Sequence, residues 1–206
     1  MQAKLRYDES ALLAKLTGLS PRQRTLFAAA CAERLVPLYR WSIRQAPAIR
    51  ADSLERGLET LWHTATATTW TADLEDVRNL AMNSVPDDDS LGTASLASRY
   101  AGYMPTALAY AVACHQSEDP QQAVWAARQP YDAIDLWVAT PSEIDFNEPG
   151  VEGRVASAPL IQAELSRQSR DLYDLEAAGG RHDAMVAQSL RDRALLEGSR
   201  LFGFPM

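Results

Sequence analysis

Ser20-Pro21-Arg22-Gln23-Arg24-Thr25-Leu26-Phe27-Ala28-Ala29-Ala30-Cys31-Ala32-Glu33-Arg34-Leu35-Val36-Pro37-Leu38-Tyr39-Arg40-Trp41 decides the fold. Ser20 is an N-cap. Pro21 fits the first helical position, where no N–H is needed, and Gln23 stands where it closes a capping box. Beyond it runs a mostly apolar, alanine-rich stretch with one adjacent acid–base pair, Glu33-Arg34, and an interior proline, Pro37. A helix this apolar belongs inside a core. The pattern predicts one long helix to about Gln45, with Pro47 beyond it, at the centre of an all-helical protein.

Working outward, a short first helix is expected from Glu9 to Leu16, ended by Gly18. Asp52 opens a third helix with Glu55 as its capping-box partner. Leu54, Leu58, Leu61, Trp62 and Ala65 give it a broad apolar face, and the threonine-rich run to Trp70 weakens its end. Thr71 or Asp73 starts a shorter helix through Met82. A helix from about Ala94 to His115 follows a Pro86–Ser90 turn. Asp119-Pro120-Gln121-Gln122 repeats the start signal of Ser20 and opens a sixth helix to Thr140. The stretch of about 141–156, with Pro149, Gly150 and Gly153, reads as the one long loop. Ser157 with Pro159 opens a seventh helix to about Ala178, Gly179-Gly180 breaks it, and Asp183 begins a last helix to Leu196, ending at Gly198. The apolar tail from Arg200 to Met206 is expected to dock on the body. No segment shows sustained strand alternation. The expectation is therefore an all-α single helical bundle of seven or eight helices with proline-kinked central helices, one domain over residues 1–206.

Composition agrees. Of 206 residues, 47% are hydrophobic and 23% charged, as in an ordinary globular protein. A chain of this length buries roughly 70% of its unfolded surface and needs no staples. Cys31 and Cys114 each sit in an Ala-rich run that suits a small buried hydrophobe, with a bridge between them left open. The net charge of −7 argues against nucleic acid and suits a basic protein partner. The polar N-terminus is unlike a signal peptide, and no run approaches the ~18 apolar residues of a membrane span. A cytoplasmic, bacterial address is expected.

The run Leu26-Phe27-Ala28-Ala29-Ala30-Cys31-Ala32-Glu33-Arg34-Leu35-Val36-Pro37-Leu38-Tyr39 resembles the signature helix of the YjaG-like family of bacterial helical proteins of unknown function. That family similarly places an aromatic and a run of small residues before Glu-Arg, an apolar pair, proline, one residue and tyrosine. Leu61-Trp62, Tyr103-Met104-Pro105-Thr106-Ala107, Asp119 to Val138 and Arg167 to Arg193 extend the likeness over most of the chain from Ser20 onward. The resemblance implies an all-α cytosolic protein and carries no catalytic residues over.

Candidate sites are few. Glu33 and Arg34 are adjacent, so they face different sides of their helix. A buried charge without a partner costs several kcal/mol, and Asp132 and Asp135, set among Tyr131, Ile134, Leu136 and Trp137, are the candidate partners. The four residues form either a structural ion pair between two core helices or a ligand or catalytic site with perturbed carboxylates. Pro37, Pro105 and Pro130 free the carbonyls of Glu33, Ala101 and Ala126. They are read as geometric kinks rather than as the frame of a pocket, with Pro105 alternatively starting a helix. Asp87, Asp88 and Asp89 are candidates for contact with a basic partner. Glu59 and His63 have a metal-compatible spacing, but no established metal motif or cofactor loop accompanies them, so no metal or cofactor is expected.

Two function classes follow. The first is a non-enzymatic cytosolic interaction protein, such as a regulatory adaptor or a toxin-neutralising immunity protein, acting on a basic partner. The alternative is a small-ligand-binding protein or enzyme with a pocket around Glu33, Arg34, Asp132 and Asp135. A homodimer through an exposed face of the last two helices is a third reading.

Overall fold

The computed structural model describes residues 4–45, 51–67, 73–86, 96–140, 153, 156–179 and 184–202. Asp87, Asp88, Asp89, most of the expected 141–156 loop, Pro47, Trp70, Thr71, Gly180, Asp183 and the tail beyond Phe202 lie outside the described residues. Those described hold α1 (Glu9–Thr17), α2 (Pro21–Gln45), α3 (Ala51–Thr66), α4 (Glu75–Asn83), α5 (Leu96–Ala101), α6 (Tyr103–Ser117), α7 (Pro120–Ala139), α8 (Pro159–Ala177) and α9 (Ala184–Leu201). No strand occurs among them, so the all-α expectation holds.

The long helix is where the quoted stretch places it. Ser20 N–H donates to Gln23 Oε1 at 2.9 Å and Gln23 N–H to Ser20 Oγ at 3.4 Å, closing the capping box. Every residue from Thr25 to Tyr39 is buried, because α2 is surrounded by α3, α5, α6, α7, α8 and α9. Its helix continues through Pro37, as α7 continues through Pro130. Asp119 caps α7 by accepting from Gln121 N–H at 2.9 Å, with Pro120 in the first turn.

Three boundaries differ from expectation for physical reasons. The helix expected from Ala94 to His115 is two helices broken at Gly102, which places Pro105 in the first turn of α6, where its missing N–H costs no helical bond. α3 starts at Ala51, before Asp52, so that Glu55 lies inside the helix. Its carboxylate instead takes a bidentate pair from Arg40 of α2, at 2.9 and 2.6 Å. Finally, α9 runs past Gly198 to Leu201. That glycine marks a helix crossing, since a Cβ on it would stand 2.2 Å from the carbonyl oxygen of Arg34.

One contiguous buried cluster spans from Leu12 to Phe202. Trp41, Tyr100 and Trp137 pack edge-on or tilted, with ring centroids 5.6 to 6.1 Å apart. The Phe202 ring lies 5.5 Å from that of Trp137, so the start of the apolar tail docks as expected. Cys31 and Cys114 are both free and buried, and no bridge joins them.

Candidate functional site

Arg34 projects from α2 toward α8, where Glu164 and Asp171 lie two turns apart on the same buried face. Its Nη1 lies 3.3 Å from Glu164 Oε1 and its Nη2 pairs with Asp171 Oδ2. All three side chains are 0–1% exposed. Asp171 Oδ1 also accepts from Arg193 Nη2 of α9 at 2.7 Å, and that same nitrogen reaches Asp174 Oδ2 at 2.7 Å. Arg167 lies between Glu164 at 3.8 Å and Glu197 at 3.6 Å, while Arg170 binds Glu197 at 2.5 Å. Gln168 completes the interior side, donating to Glu164 Oε1 and to the Ala127 carbonyl, both at 3.0 Å. The result is an alternating acid–base lattice tying α2, α8 and α9 together.

Glu33 faces another way. Trp62 Nε1–H of α3 donates to its Oε2 at 2.7 Å, and Arg191 of α9 stands 3.6 Å from the same oxygen. Burial raises the Glu33 carboxyl above the ordinary carboxylate value, against the pull of Arg191 and the Trp62 hydrogen bond. At Arg34 burial works against the charge, but Glu164 and its neighbours outweigh it and the guanidinium is held above its ordinary value. Arg167 is lowered by burial, which Glu164 and Glu197 only partly offset. The Cys31 thiol, 3.6 Å from Arg34 Nη1, is pushed up to about 12 by burial.

The partners expected from sequence are not the partners found. Asp132 pairs with Arg128 one turn back on α7, at 2.7 Å with both side chains over a third exposed. Asp135 is half-buried, and burial followed by the neighbouring Asp132 charge raises its carboxyl. Glu33 and Arg34 bind other helices, so the four candidate residues do not converge. Glu59 and His63 are 3.8 Å apart on an exposed face. No three metal-ligating side chains cluster among the described residues.

Glu164 and Asp171 were not singled out from sequence. The signal was there: Ile161, Glu164, Leu165, Gln168, Asp171, Leu172 and Leu175 are all buried and recur at helical spacing. Two acids and an amide thus occupy core positions.

The open features lie elsewhere. A groove of about 590 Å³ separates the C-terminal end of α8 from the N-terminal half of α9. Ala177, Met185, Val186 and Leu190 line it, with Asp174 and Arg193 at the polar side. Met185 is 80% exposed, and Tyr173, on α8, is 69% exposed. A smaller cavity of about 180 Å³ lies between residues 5–15 and α8.

Fold and site together define an all-α bundle whose central helix is clamped to its C-terminal helix pair by buried ions. The chain belongs to the family described as "Protein of unknown function (DUF416)", whose model matches residues 11–201. The fold is similar to that of a DUF416 family protein from Shewanella baltica OS155, known from a crystal structure. The TM-score is 0.78 at 16% sequence identity, covering 89% of this chain and 93% of that one. No curated protein matches the chain. No helix among the described residues is long and apolar enough to cross a membrane.

Proposed function

We propose that the chain is a non-enzymatic, cytosolic protein-interaction module, of the kind that serves as a regulatory adaptor or a toxin-neutralising immunity protein. The observation that carries this reading is where the ionisable groups go. Glu33, Arg34, Glu164 and Asp171 are spent on helix-to-helix pairing, whereas Ala177, Met185, Val186 and Leu190 give the α8–α9 groove an apolar lining. Such a groove suits the apolar face of an amphipathic segment. The net charge of −7 favours a partner whose remaining surface is basic, with attraction that weakens as salt is raised.

The test is retention of proteins from a bacterial extract by the immobilised chain. A partner held at low salt, released at high salt and no longer held by Met185→Lys supports the reading. No retained protein above background at low salt overturns it. Sedimentation of the free chain over a range of concentrations separates the homodimer. Self-association abolished by Met185→Lys would make a second copy the occupant in place of a basic partner.

A further inference from the structure

Residues 4–8 run without helix along α8 before α1 begins. Gln162 of α8 grips their main chain with both ends of its amide. Leu5 N–H donates to Gln162 Oε1 and Gln162 Nε2 donates to the Leu5 carbonyl, each at 2.8 Å. This grip reads backbone, not side chain, and the Leu5 side chain is left 38% exposed. Two residues on, Tyr7 enters the gap between α7 and α8. Its phenol donates to the Val124 carbonyl at 3.2 Å, and its ring lies 4.9 Å from that of Tyr131. The Arg128 guanidinium caps it 5.2 Å from the ring centroid, and Asp132 holds that guanidinium in place.

We propose that the gap between α7 and α8 is a peptide-recognition groove, that residues 4–8 are its internal occupant, and that its partner is an extended segment carrying a tyrosine two residues after the clamped position. Extended peptides are recognised by main-chain bonds that give affinity and side-chain pockets that give specificity, and here Gln162 supplies the clamp and Tyr131 with Arg128 the pocket for a half-buried ring. The occupant does not fill its seat. A cavity of about 180 Å³ remains beside it, between the segment, α1 and the α8 side of the groove, with Leu12, Leu165 and Leu172 as its apolar wall and Lys15, Gln168 and Ser169 as its polar one. A segment with a larger apolar side chain facing that cavity would bury more surface than the present one. Residues 4–8 also precede the family match, which begins at residue 11, whereas every groove residue on α7 and α8 lies within it. Covalent attachment gives the internal segment a high effective concentration, so a partner must outcompete it. The groove is distinct from that between α8 and α9, and the proposal does not depend on the reading given to the latter.

The experiment is fluorescence anisotropy with a labelled synthetic peptide, Met-Gln-Ala-Lys-Leu-Arg-Tyr-Asp, against the full-length chain. Tyr7→Ala deprives the internal segment of its ring stacking on Tyr131 and its cation–π interaction with Arg128, and leaves the groove intact. The variant should therefore bind the peptide about tenfold more tightly than wild type. Adding Gln162→Ala should reverse that gain, and Met185→Lys should leave it unchanged. A Tyr7→Ala chain with a wild-type circular dichroism spectrum and no gain in peptide binding overturns the proposal. Should Tyr7→Ala fail to fold, Tyr7→Phe removes only the bond to Val124 and should give a rise of about threefold. No rise with that variant overturns the proposal equally.

Discussion

Gly198 of α9 lies against the backbone of Arg34 on α2. A Cβ at residue 198 would sit 2.2 Å from the Arg34 carbonyl oxygen and 3.0 Å from its Cα. The approach is backbone to backbone, so no side-chain rotation relieves it. It brings α9 close enough for Arg191 to reach Glu33, on the residue before Arg34, and for Arg193 to reach Asp171, which also binds Arg34. Gly198→Ala should therefore push α9 outward and stretch both pairs. The expected loss is about 3 kcal/mol, at the upper end of ordinary overpacking. Urea unfolding monitored by circular dichroism checks it. A loss below about 0.5 kcal/mol, the range of an ordinary surface change, would mean that α9 shifts freely.

Arg34 carries the second prediction. Removing it leaves the buried Glu164 and Asp171 without the cation they share. Arg34→Met keeps most of the volume and should cost about 3–5 kcal/mol, the range for breaking a buried pair from one side. Neutralising the acids as well, with Glu164→Gln and Asp171→Asn, should recover a large part of that loss. The contrast is Arg40→Ala, which breaks the pair with Glu55 on a surface where Arg40 is 49% exposed. That change should cost no more than about 1 kcal/mol. Equal losses for Arg34→Met and Arg40→Ala in thermal unfolding would contradict this account.

These two residues also show how far the sequence can be read. The capping box at Ser20, the Asp119 cap and the central position of α2 were legible because they depend on residues a few positions apart. That Glu33 and Arg34 are buried was legible because apolar residues surround both. Their partners were not. Asp132 and Asp135 have apolar sequence neighbours, yet both sit on a half-exposed face of α7, where Arg128 serves Asp132 locally. Glu164 and Asp171 lie on a helix dense in charge, where Glu164, Asp171 and Asp174 each have an arginine within about a turn and read as solvated. Choosing between those helices needs the register in which α8 meets α2, which no local pattern encodes. Gly198 misled for the same reason: a glycine near a helix end looks like a stop until the second helix is in place.

The two thiols should be silent in the native state. Cys31 and Cys114 are fully buried, and burial pushes them up to about 12 and about 11. Thiolate is the reactive form, so both its scarcity and the packing oppose attack. A disulfide reagent at mildly alkaline pH should modify neither cysteine in folded protein and both after denaturation. Rapid labelling of one thiol without denaturant would show that its helix opens locally.

Glu33 gives the pH prediction. Its folded carboxyl is raised by burial above the unfolded value of about 4.3. Between those two values the unfolded chain has lost a proton that the native chain retains, so stability falls as pH rises through that window and levels off above the folded value. Glu33→Gln still offers Trp62 an oxygen acceptor but has no proton to lose. It also gives up the Arg191 attraction, which at 3.6 Å with Arg191 partly exposed is worth no more than about 1 kcal/mol. The variant should therefore gain stability relative to wild type as pH rises from the ordinary carboxylate value, then run parallel to it. Urea midpoints measured for both proteins across that pH range are the check. A difference that stays constant, or that shrinks as pH rises, would mean that Arg191 and Trp62 outweigh burial at this carboxylate.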